Sequence, residues 1–191
     1  MDLSNLKHLP GLDGTDNTPG LLGYILWAPT AWFATIAKAP AFSATAAAGT
    51  SAVIATSHTF KTGLGFLRIY ITLDSNELKA EVVGERDGRG QKISFEGFHP
   101  GNKAESIELF NLMKNTDGIM LVPDADGTYI QVGTDGLPVE MSPSYGSGKL
   151  SGGRRGTTLK GECYAKAIRL YRGDVVEKPA GTTGTGTVVG P

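Results

Sequence analysis

Residues 21–28 read Leu21-Leu22-Gly23-Tyr24-Ile25-Leu26-Trp27-Ala28. In a β-strand, alternate residues face opposite sides. Leu22, Tyr24 and Leu26 therefore fall on one face, and Leu21, Ile25 and Trp27 on the other. Both faces are apolar. Such a strand is central to a core or sits at a contact between subunits. For Trp27 the reading taken is the second, a contact with another copy.

The surrounding sequence supports a β-rich reading. Glycine accounts for 27 of 191 residues and proline for 10; the glycine share is about twice the average. That density of turn formers excludes a helical bundle or coiled coil. The glycines have no three-residue period, which excludes collagen. With 40% hydrophobic residues and a net charge of −1, the chain has the material for a core and no composition signature of disorder. Near-neutral charge gives no global electrostatic reason to bind nucleic acid. A single cysteine, Cys163, leaves no intramolecular disulfide and no multi-cysteine zinc site. His8, His58 and His99 lie too far apart for local metal-ligand spacing, and no cofactor is expected.

Residues 17–37 carry no charge, but Pro19, Gly20, Gly23 and Pro29 interrupt them well short of the ~20 apolar residues of a membrane span. Asp2, Asp13 and Asp16 stand where a secretion signal would carry basic residues. No membrane association is expected.

Outward from residues 21–28, the chain divides into an N-terminal arm (1–20), a β-sandwich domain (21–172) and a Gly/Thr-rich tail (173–191). Residues 31–55 hold 11 alanines, mixed with Ser, Thr and Pro40, and read as short strands and loops. Leu67, Ile69, Ile71 and Leu73 alternate with Arg68, Tyr70 and Thr72, as do Leu78, Ala80 and Val82 with Lys79 and Glu81, and Ile93 and Phe95 with Lys92, Ser94 and Glu96. Asp87-Gly88 supplies the positive φ of a hairpin tip between the last two. One helix is predicted, at about 103–115. Asn102 is its N-cap, and Ala104, Ile107, Phe110 and Met113, widened by Leu109 and Leu112, form its apolar stripe. Strands resume at 119–122, 128–132, 137–141, 157–165 and 167–171. Residues 142–156 form a long loop with five glycines and the cations Lys149, Arg154 and Arg155; loops of that length usually have a job. The fold class is mainly β, two packed antiparallel sheets with one flanking α-helix.

Two motifs invite a catalytic reading. Asp124-Ala125-Asp126-Gly127-Thr128 follows an apolar strand and resembles the nucleophile motif of haloacid dehalogenase-like phosphatases. That resemblance implies an Asp124 nucleophile, an Asp126 acid/base and magnesium. Pro123 intervenes, however, and too little chain follows for the sheet that chemistry needs, so an Asp-rich hairpin turn is the preferred reading. Gly146-Ser147-Gly148-Lys149-Leu150 lacks both the leading glycine and the Ser/Thr of a phosphate-binding loop. No nucleophile elbow or carboxylate pair marks a cleft, and the chain is read as a non-enzyme. Lys149, Arg154 and Arg155 admit a solvated loop or phosphate contacts, and inter-subunit ion pairing is preferred. A monomeric glycan-binding sandwich using Trp27 and Trp32 is a further alternative.

The order of parts resembles the major tail tube proteins of long-tailed bacteriophages, particularly those of phages infecting Bacteroidetes. The residues that carry it are 60–66 (FKTGLGF), 78–81 (LKAE), 88–92 (GRGQK), 98–101 (FHPG) before the helix, 122–127 (VPDADG) and 152–159 (GGRRGTTL). The resemblance implies two antiparallel sheets with a flanking helix. It implies copies joined six at a time into rings whose inner sheets form one barrel, stacked into a tube that conducts DNA without binding it specifically. Arms and loops would bridge rings: residues 1–20, 142–156 and 173–191 are the candidates. Such lumens tend to be acidic, so Lys149, Arg154 and Arg155 are expected between rings. The partners implied are further copies and the tail terminator, tape measure and baseplate proteins. The location implied is the virion tail, with the host cytoplasm during assembly. A contractile-tail tube or a head–tail connector ring is the near alternative.

Overall fold

The computed structural model describes residues 4, 6–11, 17–43, 45–179 and 187–189. The strands are β1 (Tyr24–Pro29), β2 (Phe33–Thr35), β3 (Val53–Ile54), β4 (Thr59–Phe60), β5 (Leu67–Tyr70), β6 (Glu77–Val83) and β7 (Gly90–Pro100). The helix α1 (Ala104–Met113) follows, then β8 (Gly118–Pro123), β9 (Tyr129–Val132), β10 (Glu140–Gly146), β11 (Gly156–Ala165), β12 (Arg169–Tyr171), β13 (Val175–Glu177) and β14 (Thr187–Val189). The chain is mainly β, with one α-helix among the described residues.

Six strands form one sheet in the order β3-β12-β9-β8-β1-β5, and four form another in the order β10-β11-β7-β6. Two small sheets, β2-β4 and β13-β14, complete the set. The pairings are antiparallel except β3 with β12, which is parallel. The larger sheet is thus mixed rather than purely antiparallel.

Alternation in β1 explains why both its faces are apolar. Ile25 and Trp27 join a core with Met120 and Val122 of β8, Ile93 and Phe95 of β7, Leu159 and Cys163 of β11, and Phe110 and Met113 of α1. That core lies between the two main sheets and under the helix. Leu26 and Ala28 face the other way, into a second core with Ile119 and Leu121 of β8, Phe33 of β2, Phe66, Tyr171 and Val175. The central sheet is therefore buried on both sides. At about 25 cal/mol per Å² of apolar surface, two-sided burial of β1 and β8 stabilises the fold from both cores.

Several expectations differ from the structure. Trp27 is 2% exposed and packs into the chain's own core rather than standing out from a surface. Its indole lies against Gly118, where a Cβ would fall within the ring. The loop expected at 142–156 is shorter: residues 140–146 are strand, and 147–155 are the tip of a β10–β11 hairpin paired from Glu140↔Glu162 to Gly146↔Gly156. The tail is not all tail, because β13 pairs with β14 and with Phe66; residues 180–186 and 190–191 lie outside the described residues. In α1 the cap is Lys103 and makes no side-chain cap hydrogen bond. Its buried positions are Phe110 and Met113, while Ile107 and Leu112 stay exposed, because one contact cannot cover so wide a stripe. At the β6–β7 turn the positive φ falls on Gly84 and Asp87, not Gly88. Of the expected arm, residues 1–3, 5 and 12–16 lie outside the described residues; 6–11 and 17–20 carry no paired strand.

Candidate assembly surfaces

The four-stranded sheet has one face in the core and one in solvent. Strand alternation puts Leu78, Ile93, Phe95, Leu159, Cys163 and Met141 inward. The register then places the opposite set in rows across the outer face: Glu77–Glu96–Lys160–Ser142, Lys79–Ser94–Glu162–Glu140 and Glu81–Lys92–Tyr164. These rows hold five glutamates and three lysines. Each lysine is paired: Lys79 with Glu77 at 2.9 Å, Lys92 with Glu162 at 2.8 Å and Lys160 with Glu96 at 3.1 Å. The hydrogen bonds they donate to Glu77 and Glu162 raise Lys79 and Lys92 above the ordinary lysine range. Glu81 and Glu140 make no ion pair among the described residues, so the face carries uncompensated negative charge. Exposed pairs of this kind add little stability; their consequence is the character of the surface.

The edges of this sheet are β6 and β10, each hydrogen-bonded on one side only. Their outer backbone groups form a ready template for another strand. Val82, on β6, is exposed although strand alternation puts it on the same side as Leu78.

The three predicted cations all lie in the tip of the β10–β11 hairpin, where the chain closes on itself between Gly148–Lys149 and Gly153–Arg154. Arg154 lies back on its own sheet, its guanidinium 4.5 Å from the Phe98 ring centroid. Arg155 lends its backbone carbonyl to Gly101 N–H at 2.9 Å and leaves its side chain exposed. Lys149 is exposed at the hairpin tip, where its carbonyl accepts from Gly152 N–H at 3.2 Å.

Asp124 and Asp126 serve the β8–β9 turn. Asp124 accepts from the Ala125 N–H at 2.8 Å and Asp126 from the Thr128 N–H at 2.7 Å, and Gly127 takes the positive φ of 86°. This is the Asx chemistry of a tight turn. Among the described residues no group of three or more His, Cys, Asp or Glu is placed to hold a metal ion.

A buried network escaped the sequence reading. His58, set by β4 and the segment before it, accepts at Nδ1 from Ala37 N–H at 3.0 Å and donates from Nε2 to Gln131 Oε1 at 3.0 Å. Gln131 in turn donates to Gly133 O at 3.0 Å. His58 N–H donates to Tyr171 Oη, whose hydroxyl donates to Asp174 O at 2.8 Å, and the two rings stack at 4.6 Å. Burial lowers His58 from 6.5 to about 4. An isolated histidine in an Ala/Thr-rich stretch carries no local signal of such a role; only the register of β9 and β12 brings its partners near.

No helix of the described residues is long and apolar enough to cross a membrane. Compared with known proteins, the chain matches no family model, no curated sequence and no solved structure.

Proposed function

We propose that this chain is a structural subunit of a phage tail tube, a non-enzymatic protein whose work is done by rings of identical copies. The observation that carries the reading is the four-stranded sheet with two open edges and a mostly polar, net acidic outer face. An exposed edge is a liability unless it is covered. Pairing β6 of one copy with β10 of the next covers both edges by a heterologous contact, and heterologous contacts that close generate rings. The covered face then supports the outside of such a ring, and the glutamate-rich face lines the passage, where it repels the phosphate backbone of DNA rather than holding it. Stacked rings complete the tube, with terminator, tape measure and baseplate proteins as end partners and the virion as location. A contractile-tail tube or head–tail connector ring would use the same edges. Electron microscopy of the concentrated chain tests this: stacked rings are expected, and a particle that stays monomeric at every concentration and salt overturns it.

A further inference from the structure

Beside α1 lies a groove of about 510 Å³ lined by Trp27, Pro29, Trp32, Leu67, Leu109 and Leu112, with Glu105 and Glu108 on its rim. Leu112 is 62% exposed, although it sits on an otherwise apolar wall. Among the described residues Glu105 and Glu108 make no ion pair, so the rim is negatively charged and unsatisfied. On the Ala31–Trp32 side the chain supplies its own cations, Lys61 donating to Ala31 O at 2.8 Å and Lys178 5.0 Å over the Trp32 ring, so it is the α1 side that favours an apolar occupant with a cation beside it.

The chain carries such a segment. Leu6-Lys7-His8-Leu9 has two leucines three residues apart, 63% and 96% exposed, with Lys7 and His8 exposed between them. Three residues are one turn of an extended polyproline-type backbone, so both leucines can face one wall while Lys7 points to the rim. In its own chain Leu6 borders a different hollow, formed by Phe42 and Ala46–Gly49. The arm is therefore not in its own groove. We propose that the Leu6–Leu9 segment of one copy docks into the α1 groove of another, with Lys7 against Glu105 and Glu108. The contact deepens the assembly reading, since it needs a second copy, but it is separate from the β6–β10 edges.

The test uses the full chain carrying Leu6→Asp and Leu9→Asp, whose own arm is disabled, as receiver for a synthetic peptide of residues 2–14. Trp32 fluorescence reports binding. Saturable binding is expected, weakened about tenfold by Lys7→Glu in the peptide and restored when the receiver carries Glu108→Lys. Because Leu112 and Glu108 are exposed, the receiver variants Leu112→Asp and Glu108→Lys should fold, which circular dichroism checks. No binding, or binding blind to the charge exchange, overturns the inference. So does preferential capture of a peptide of residues 146–153, whose Lys149-Leu150 is the other apolar–cationic candidate. Peptide binding without rings in the microscope sinks the tube reading and leaves the groove standing; rings without peptide binding do the reverse.

Discussion

Single side chains carry more than their size suggests. His58 is held neutral by burial, which outweighs the opposing hydrogen bond to Gln131, and the Ala37 N–H already points at Nδ1. The folded chain holds His58 at about 4, whereas an unfolded histidine titrates near 6.5. Between those values the unfolded chain binds a proton that the folded chain refuses. The stability is thus fully present above about pH 6.5 and is lost as pH falls towards about 4, at about 1.4 kcal/mol per unit, some ~3 kcal/mol in all. Denaturant unfolding at pH 7, 6, 5 and 4 should show that slope, and His58→Gln should flatten it; an unchanged slope in the variant would remove His58 from the account. Trp27 shows how a residue misleads a sequence reading. A large aromatic in a doubly apolar strand fits a core and an interface equally, and the decision lies in Gly118, about ninety residues away, whose missing side chain makes room for the indole. The indole N–H is buried without an acceptor among the described residues, a cost of ~1–3 kcal/mol that the packing of the ring offsets.

Elements were legible where the period is local. The alternation of β5, β6 and β7 and the single helix follow from side-chain spacing, and the Asp-rich turn after β8 follows from Asx chemistry. The end of the chain was not legible, because a Gly/Thr composition hides which backbone it will lie beside. Gly65 and Gly173 are the hidden signal: a Cβ on Gly65 would sit 2.7 Å from the backbone of Val176, Glu177 and Lys178, and one on Gly173 equally close to Ser57. Phe66 N–H donates to Val176 O and Lys178 N–H to Phe66 O, both at 2.9 Å, while Arg68 donates from Nε to Glu177 at 3.0 Å and lies 4.0 Å over the Tyr24 ring. Val175 fills the second core. Removing residues 173–191 is therefore expected to lower the melting temperature by several degrees and to expose the Phe66 region to protease, whereas removing only 179–191 should do far less. Equal effects of the two deletions would mean that β13 is not the anchor.

At the scale of the whole molecule, the mainly β character with antiparallel sheets and one helix was readable, but the charge map was not. Outward glutamates on four strands look like ordinary solvated faces one strand at a time. Only the register gathers them onto one surface and shows that each lysine there is already matched. Glu81→Lys with Glu140→Lys removes two unpaired anions and adds two cations without touching the core. The melting temperature should stay within about 2 °C, as exposed substitutions usually do. Double-stranded DNA should now be retained in a filter assay at low salt and released as salt rises. Retention by the unaltered chain, or none by the variant, would show that the face does not govern DNA contact.

The strand at the centre is also a timing constraint. Residues 24–29 pair on one side with residues 67–70 and on the other with residues 118–123. On a ribosome that adds ~5–20 residues per second, the second partner emerges many seconds after the first strand. During that interval a doubly apolar strand is in the open with one edge uncovered. Low temperature or scarce holding chaperone should therefore decide the yield of soluble chain, and the vulnerable species is the half-made polypeptide on the ribosome rather than the finished fold.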